Sequence, residues 1–254
     1  MKLPRTPSFD LSGKRALVTG ASSGIGLAAA VALAEHNADV TLAARRLGKL
    51  EDIAGQIAKE RQRVKVLELD VSDIEGTATA VDREGPFDIL VNSAGLARHS
   101  AALDTAAADF DAVMNVNLRG AYFLTRAVAR GLVAAGKPGS LINISSQMAH
   151  VGGLERAVYC ASKHAVEGFT KSMAIEFGPA KIRVNTICPT FILTDLTRPT
   201  FDQPEKRAWI EEKIKLGRAG EVQDIMGAVV YLASEASSLV TGTSLMVDGG
   251  WTAD

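Results

Sequence analysis

A tyrosine and a lysine four residues apart, Tyr159 and Lys163, carry the first chemical signal of the sequence. The pattern up to Phe177 is typical of a helix, and residues four apart lie on one helix face. A free tyrosine has a pKa of about 10, so it exchanges protons near neutral pH only where a nearby cation favours its phenolate. Lys163 would supply that cation. Such pairs also occur by chance, so the interpretation depends on the residues around them.

Ser146 precedes Tyr159 by thirteen residues and follows an apolar segment, residues 141–144, that is typical of a buried strand. In open α/β sheets, ligands bind at the carboxyl ends of the strands. We therefore expect Ser146 to hold a substrate oxygen beside Tyr159. The three side chains together predict acid–base chemistry on a carbonyl group or on the corresponding alcohol.

A glycine-rich turn lies near the start of the chain. The predicted strand 15–19 runs into the sequence Gly-Ala-Ser-Ser-Gly-Ile-Gly and then into a predicted helix, residues 27–35. Glycines let the main chain approach a pyrophosphate closely, and a helix N-terminus presents free N–H groups to it. A tight turn without a ligand is the alternative, which the strand–turn–helix context disfavours. The dinucleotide contacts expected in this turn are Gly20, Ser22, Ser23, Gly24, Ile25 and Gly26.

The second predicted strand ends at Ala44 and is followed by Arg45 and Arg46. Dinucleotide-binding folds place at this point the group that contacts the adenosine ribose, and an acid there would bind a free 2′-hydroxyl. A guanidinium can instead bind a 2′-phosphate through two hydrogen bonds. The sequence therefore favours NADP(H), with NAD(H) as the alternative cofactor. Two solvated arginines at the start of a helix are the other interpretation of this pair.

Small and polar residues also follow the third and fourth predicted strands. Asp70 can meet the adenine edge, and small residues after the fourth strand would let the main chain lie close to the cofactor. Asn117 falls inside a predicted helix, where a buried amide needs a partner. It is either part of a water-linked proton path or a hydrogen-bonded core asparagine. The residues expected at the cofactor from these two strand ends are Asp70, Val71, Asn92, Ala94 and Gly95.

The elements that must position these residues are seven apolar segments of strand length, which alternate with alanine-rich segments of helical length. The predicted strands are residues 15–19, 40–44, 64–69, 89–91, 141–144, 183–187 and 245–247. Strands rich in Val, Ile and Leu, with little in–out alternation, indicate a parallel sheet buried on both faces. We predict an α/β fold: a single Rossmann-like domain, residues 1–254, with a doubly wound seven-stranded parallel sheet flanked by helices.

Two segments are expected to lie outside this regular pattern. Residues 1–12 are predicted to form an N-terminal arm. Residues 190–218 are predicted to form a substrate loop or lid, since prolines interrupt residues 189–204 and a loop this long in a compact domain is usually functional. A helix is predicted at residues 209–215, where Trp209 is either a packing anchor or a wall of the substrate pocket.

Two helix ends are also predicted. Ser72 would cap a helix, with Glu75 reaching back to it, and Asn37 would end another helix at a position where glycine is usual. Both residues are expected to be structural.

The overall composition excludes several classes of protein. Lys and Arg number 28 against 29 Asp and Glu, so no net charge attracts nucleic acid or an anionic membrane. The two cysteines, Cys160 and Cys188, lack a metal-ligand spacing, so we predict no metal site and a reducing compartment. Without the apolar core of a secretory signal or a bilayer-spanning run, we expect a cytoplasmic protein that acts on a small molecule.

The segments TGASSGIG, NSAG, YCASK and VDGG, in this order, resemble the short-chain dehydrogenase/reductase superfamily in its shorter form. The resemblance covers nearly the whole chain. It implies an enzyme that transfers a hydride between the nicotinamide C4 and a ketone or secondary alcohol, with a sugar ketose, polyol or small diketone as the expected substrate. The family is commonly tetrameric, so we expect a homotetramer that uses the helices near residues 110–134 and 159–177.

The resemblance also assigns roles to residues. The catalytic tetrad it implies is Asn117, Ser146, Tyr159 and Lys163. The cofactor contacts it adds are Tyr159, Lys163, Pro189, Ile192 and Thr194, with Lys163 at the nicotinamide ribose and Thr194 at the carboxamide.

Two departures from the family pattern narrow the resemblance. Ser93 replaces the usual second asparagine, and Thr190 follows Pro189 where glycine is usual. Neither removes a catalytic group. Thr190 and the segments GPAKIRVNTICPT and VYCASK together make the sequence similar to the L-xylulose (dicarbonyl) reductase branch, which is NADPH-dependent. The substrate contacts this implies are Ser146, Gln147, Leu154, Arg156 and Tyr159.

Two other functions remain as alternatives. A 3-oxoacyl-[acyl-carrier-protein] reductase would need a basic patch near the site for its acidic carrier. A catalytically silent NADP-binding sensor would bind the cofactor without turnover.

Overall fold

The computed structural model describes residues 3–60 and 63–253, and its centre is a seven-stranded sheet in which every neighbouring pair is parallel. The strands are β1 (Arg15–Thr19), β2 (Asp39–Ala44), β3 (Val64–Glu68), β4 (Ile89–Asn92), β5 (Gly139–Ile144), β6 (Ile182–Pro189) and β7 (Ser244–Val247). Their order across the sheet is β3-β2-β1-β4-β5-β6-β7. The predicted fold class is confirmed.

Helices lie on both faces of this sheet. They are α1 (Gly24–Glu35), α2 (Leu47–Glu60), α3 (Ile74–Glu84), α4 (Ala107–Met114), α5 (Ala121–Ala134), α6 (Ala157–Phe177), α7 (Arg198–Phe201), α8 (Pro204–Lys213) and α9 (Val222–Ala233). A π-helical turn, Asn115–Gly120, joins α4 to α5.

Two apolar cores hold these layers together. Ala16 and Val18 of β1 pack into the core shared with α1, α2 and α9, whereas Leu17 packs into the core shared with α3, α5 and α6. All three side chains are fully buried. Burial of one such aliphatic side chain contributes roughly 1.5–3 kcal/mol. The central strands are therefore apolar on both faces, which is why they lack an alternating pattern.

The chain reverses its direction across the sheet at β1. After β1 the chain forms β2 and β3 on one side of β1, and it then crosses over to form β4 on the other side of β1. Ligands of doubly wound sheets bind at this switch point, at the carboxyl ends of the strands. In this protein those ends are Thr19 of β1 and Asn92 of β4, which are direct partners in the register.

The observed elements differ from the predicted ones mainly at their ends. The bounds of β1 are as predicted, and β6 extends to Pro189. The predicted helix 209–215 begins earlier, at Pro204, and α7 lies in the segment expected to be irregular. Both differences have one cause: a proline stands in the first turn of α7 and of α8, where its fixed φ and missing N–H favour the start of a helix.

The predicted cap of α3 is wrong by one residue. The cap is Asp73, whose Oδ1 accepts a hydrogen bond from the Gly76 amide at 3.0 Å. The Ser72 hydroxyl donates instead to Asp70 Oδ1 at 2.7 Å. Since Ser72 is committed to Asp70, it has no role at the start of the helix.

We expect Asp73→Ala to lower the free energy of unfolding by about 0.5–2 kcal/mol, the usual cost of removing an N-cap. Urea titration of the wild type and the variant measures this difference. Ser72→Ala is the matched control, because it removes a neighbouring side chain that caps nothing. A larger loss in Ser72→Ala than in Asp73→Ala would contradict the assignment.

The N-terminal arm is fixed at the end of α1. Leu11 is buried, and its amide donates to His36 O at 2.7 Å. Asn37 has φ +72, the left-handed conformation expected of a residue that replaces a helix-ending glycine. Met1 and Lys2, which belong to the predicted arm, lie outside the described residues. No helix in the described ranges is both long and apolar enough to cross a membrane.

A third, smaller apolar cluster lies under the predicted lid. It contains buried side chains from α7, α8 and the segment after them: Phe201, Ile210, Ile214 and Ala219. Phe191 and Trp251 pack against it, with stacked rings 5.6 Å apart. The rings of Trp209 and Trp251 meet edge-on, with their centres 5.3 Å apart. Of the two interpretations of Trp209, this contact supports the packing anchor.

Candidate active site

A cleft of about 440 Å³ opens at the carboxyl ends of the strands, around the switch point. The predicted site residues that line it are Gly20, Ser22, Ser23, Gly24, Ile25, Gly26, Arg45, Arg46, Asp70, Val71, Ala94, Gly95, Ser146, Tyr159, Lys163, Pro189, Ile192 and Thr194. Its volume is within the range usual for cofactor sites, roughly 300–1,000 Å³. The cleft therefore brings the predicted cofactor residues and the predicted acid–base group together.

The glycine turn closes so tightly that side chains are excluded from it. A Cβ atom on Gly20 would lie 2.8 Å from Ser93 O, and one on Gly26 would lie 2.3 Å from Gly20 O. Gly20 also has φ +66, which disfavours any other residue. Because no side chain fills this turn, its main chain is open to the cleft.

The first turn of α1 fits a bound phosphate. The helix begins at Gly24, three residues earlier than predicted, so the turn glycines themselves form its N-terminus. Ser23 at the N-cap makes no capping hydrogen bond, and the first turn holds no acidic side chain. The free N–H groups and the positive end of the helix dipole are thus available to an anion.

Two cations line the cleft at the end of β2. Arg45 and Arg46 follow β2 directly and are exposed, and Arg46 Nη2 donates to Ser22 Oγ at 3.1 Å. Burial raises the pKa of Asp70, but hydrogen bonds from Ser72 and the charge of Arg45 outweigh it, so this pKa lies below its ordinary value. The carboxylate of Asp70 is therefore ionised at neutral pH, beside the two arginines.

Tyr159 lies near the start of α6 and is half-buried. Burial raises the pKa of its phenol, while a hydrogen bond with Ser146 and the charge of Arg156 oppose that shift. Ser146 also accepts a hydrogen bond from the Met148 amide at 3.1 Å, which fixes its hydroxyl at the end of β5. Ser146 and Tyr159 line the same cleft, and that they act together on a substrate oxygen remains a prediction.

Lys163 is almost fully buried one helical turn after Tyr159. Its Nζ donates to Ile144 O at 2.9 Å and lies 5.7 Å from the centre of the Tyr159 ring. Burial lowers the pKa of Lys163 to about 8, although Cys188 and Glu167 nearby oppose the shift. The hydrogen bond to Ile144 O holds the side-chain nitrogen at the end of β5. That Lys163 lowers the pKa of Tyr159 remains a prediction.

Asn117 lies in the π-helical turn and is buried. Its Oδ1 accepts from the Leu96 amide at 2.7 Å, and its Nδ2 donates to Leu96 O at 2.8 Å and to Ser162 Oγ at 3.2 Å. The side chain therefore fixes the chain after β4 against α6. These contacts match the core-asparagine interpretation, and the proton path remains a prediction.

Asn92 does not line the cleft. Its Oδ1 accepts from Thr19 Oγ1 at 2.8 Å and its Nδ2 donates to Asn143 Oδ1 at 3.0 Å, so it ties β1, β4 and β5 together beneath the cleft. Three predicted substrate residues also do not line the cleft: Gln147 is 1% exposed, Leu154 is 89% exposed, and Arg156 lies outside the lining near Tyr159.

Arg156 stands beside Tyr159 with partners that sequence reasoning missed. Its guanidinium lies 5.3 Å from the centre of the Phe191 ring, and its Nη1 donates to His99 Nε2 at 2.5 Å. The His99 ring meets Tyr159 edge-on at 6.4 Å. Burial and the charge of Arg156 lower the pKa of His99, so the imidazole is neutral and can accept. In the sequence, His99 follows β4 in a segment without a recognisable motif.

Further lining residues were not predicted. They are Thr19, Ala44, Leu69, Ser93, Leu96, Ala97, Val116, Ile144, Ser145, Thr190, Asp195, Leu196 and Thr197. Most of them lie at the end of a strand, directly after one, or in the predicted lid. Their position relative to the strands could therefore have identified them as residues of the cleft.

Comparisons with known proteins agree with this geometry. The family model described as Enoyl-(Acyl carrier protein) reductase matches residues 20–252. D-erythrulose reductase of Gallus gallus is 40% identical over 245 residues, which cover 96% of this chain and 98% of that protein. L-xylulose reductase of Mesocricetus auratus is 38% identical over 243 residues, covering 96% and 98%.

A solved structure is similar over the same range. Gluconate 5-dehydrogenase from Burkholderia cenocepacia J2315, in complex with NADP and tartrate, has a TM-score of 0.94 and 36% identity, and the match covers 97% of this chain and 98% of that one. Family model, relatives and structure all span nearly the whole chain. The protein is therefore a member of the short-chain dehydrogenase/reductase superfamily, an NAD(P)-dependent oxidoreductase that acts on CH–OH and carbonyl groups.

Proposed function

We propose that the protein reduces the ketone of a sugar ketose or small diketone with NADPH, or oxidises the matching polyol with NADP⁺. The observation that carries this proposal is the convergence in one cleft of Ser146 and Tyr159 with the glycine turn and Arg45. Relatives that reduce D-erythrulose and L-xylulose, by their names, support a sugar-like substrate.

The cofactor contacts follow from the geometry of the cleft. The glycine turn and the start of α1 would hold the pyrophosphate, Arg45 and Arg46 the 2′-phosphate, and Lys163 and Thr194 the nicotinamide half. The bound nicotinamide supplies or accepts a hydride at C4. NAD(H) is the alternative cofactor.

The protein's own side chains handle the proton. Ser146 donates to the substrate oxygen and holds it beside Tyr159. In reduction the Tyr159 hydroxyl gives its proton to that oxygen as negative charge develops, and in oxidation its phenolate takes the proton back. Lys163 stabilises the phenolate form, and residues 190–218 would close over the substrate and exclude water.

Arg156 favours a second candidate substrate, a keto acid derived from a sugar acid. Among the described residues Arg156 forms no ion pair within 4.0 Å, although it is half-buried beside Tyr159. A guanidinium without a carboxylate partner can bind a substrate carboxylate through two hydrogen bonds. The similar gluconate 5-dehydrogenase structure, which contains tartrate, is consistent with such a substrate.

A substrate panel tests both candidates. The panel contains a ketose, a polyol, an α-diketone, a ketoaldonate and a β-ketoacyl thioester, each with NADPH and with NADH. We expect the highest kcat/KM for the ketose with NADPH. A preference for the ketoaldonate that disappears in Arg156→Ala and survives in Arg156→Lys would select the second candidate. Thioester preference would select the acyl-carrier-protein reductase, and cofactor binding without any turnover would select the sensor.

We also propose a homotetramer built through α4–α6. These helices carry exposed apolar side chains, of which Ile175 on α6 is 79% exposed, and such clusters mark interaction surfaces. We expect Ile175→Glu to dissociate the assembly, because it places a charge in the interface. Light scattering coupled to size-exclusion chromatography measures the mass. Leu47→Glu on α2, which places the same charge at an exposed apolar position outside these helices, is the control. A wild-type monomer would contradict the proposal.

A further inference from the structure

A buried carboxylate lies just beyond the acid–base residues. Glu167 on α6 is 5% exposed. Its Oε2 accepts hydrogen bonds from Thr186 Oγ1 at 3.0 Å and from Ser244 Oγ at 2.5 Å. It forms no salt bridge with any residue in the described ranges. Its other oxygen, Oε1, accepts a hydrogen bond from Cys188 Sγ.

Two other metal-binding side chains meet this carboxylate. Cys188 Sγ lies 3.3 Å from Glu167 Oε1 and 3.6 Å from His150 Nε2. The three ligand atoms all lie within 4.8 Å of one another. Around a tetrahedral zinc ion, bond lengths of about 2.0–2.3 Å imply ligand–ligand separations of roughly 3.3–3.6 Å. The two separations from Cys188 Sγ fall in that range, and the carboxylate and imidazole ligand atoms lie within 4.8 Å of each other.

The surroundings of the cluster also suit a metal. Thr186 and Ser244 orient the Glu167 carboxylate from behind and leave Oε1 directed at Cys188, as outer hydrogen bonds do in metal sites. Cys188 is fully buried, whereas His150 is exposed. The cluster is therefore closed on the sheet side and reachable from solvent past His150, which leaves a fourth position for water.

We propose that His150, Glu167 and Cys188 form a binding site for a divalent transition-metal ion of the zinc type. A thiolate, an imidazole and a carboxylate are the ligands such an ion prefers. Coordination forms an Sγ–metal bond and breaks the Sγ–H bond, with the proton released to solvent.

The ion would connect three segments of the active site. His150 lies four residues after Ser146, Glu167 lies four residues after Lys163, and Cys188 directly precedes Pro189. The ligands are far apart in sequence, and the cysteines do not have a metal-ligand spacing, so the sequence predicted no site. A bound ion would fix these segments relative to one another and raise the temperature of unfolding.

Cobalt(II) is the probe, because a thiolate–cobalt bond gives a charge-transfer absorption band that oxygen and nitrogen ligands do not. We expect the band in the purified wild-type protein and its loss when zinc is added in competition. Cys188→Ser should abolish it. His150→Ala, a change at an exposed residue that leaves folding intact, should weaken binding by more than the roughly 10- to 100-fold that loss of an outer-shell partner causes.

Cys160→Ser and His164→Ala are the matched controls, since each removes the same ligand type from α6, and both should retain the band. Zinc should raise the unfolding temperature of the wild type and leave that of His150→Ala unchanged. Absence of the band in the wild type, its persistence in Cys188→Ser, or unchanged affinity in His150→Ala would each overturn the site.

Discussion

Tyr159→Phe should lower kcat/KM by about 10²- to 10⁴-fold, the usual contribution of a positioned acid–base group. At roughly 1.36 kcal/mol per factor of ten, this corresponds to about 3–5 kcal/mol of transition-state stabilisation. The phenylalanine ring keeps the edge-on contact with His99 at 6.4 Å, but it has no proton to give and no hydroxyl for Ser146. Steady-state kinetics on the best substrate of the panel measure the loss.

The fold and the cofactor site should survive this change. NADPH affinity, measured by fluorescence quenching, should stay within a few fold of the wild-type value, because the glycine turn and the arginines are untouched. Tyr122→Phe is the matched control: it removes the hydroxyl of an exposed tyrosine on α5 and should leave kcat/KM unchanged. Nearly full activity in Tyr159→Phe would exclude the proposed mechanism.

Arg45→Ala should weaken NADPH binding by about 10- to 100-fold, since a hydrogen bond to a charged group contributes roughly 1.5–3 kcal/mol. NADH lacks the 2′-phosphate, so its KM should change little and the cofactor preference should narrow or reverse. Arg45 is exposed at the end of β2 and makes no ion pair with the residues the structure describes. Its removal therefore breaks no contact that supports the fold.

KM values for both cofactors, measured at saturating substrate, test this prediction. Arg46→Ala should change them in the same direction. Arg126→Ala on α5, which removes an arginine outside the cleft, is the control and should change neither value. If the wild type prefers NADH, or if Arg45→Ala affects both cofactors equally, the proposed 2′-phosphate contact is wrong.

The sheet was predictable because its strands are buried on both faces. The centre of a strand such as β1, with Leu17 in one core and Val18 in the other, must be apolar at consecutive positions, and few other structures require that. The glycine turn was predictable for a related reason. Only glycine fits where the main chain of Gly20 meets that of Ser93. The turn can therefore be recognised in the sequence from its glycines.

Other features depend on contacts between distant segments. Serine and aspartate are both common N-cap residues, so the sequence does not distinguish Ser72 from Asp73. The Ser72 hydroxyl donates to Asp70, which leaves Asp73 to cap the helix. Asn117 was expected in a regular helix, but it lies in a π-helical turn and bonds to Leu96, which is 21 residues away in the chain. The cluster of His150, Glu167 and Cys188 forms only when β6, α6 and the segment after β5 meet.

The apolar cluster under α7 and α8 is separate from the two cores of the sheet. Mutations in these helices therefore change the predicted lid without loosening the layers that hold the acid–base residues. Substrate preference in this protein can diverge quickly under selection while the hydride-transfer machinery stays intact. For the same reason, a directed-evolution library confined to exposed residues of α7 and α8 should yield many folded variants with altered substrate range.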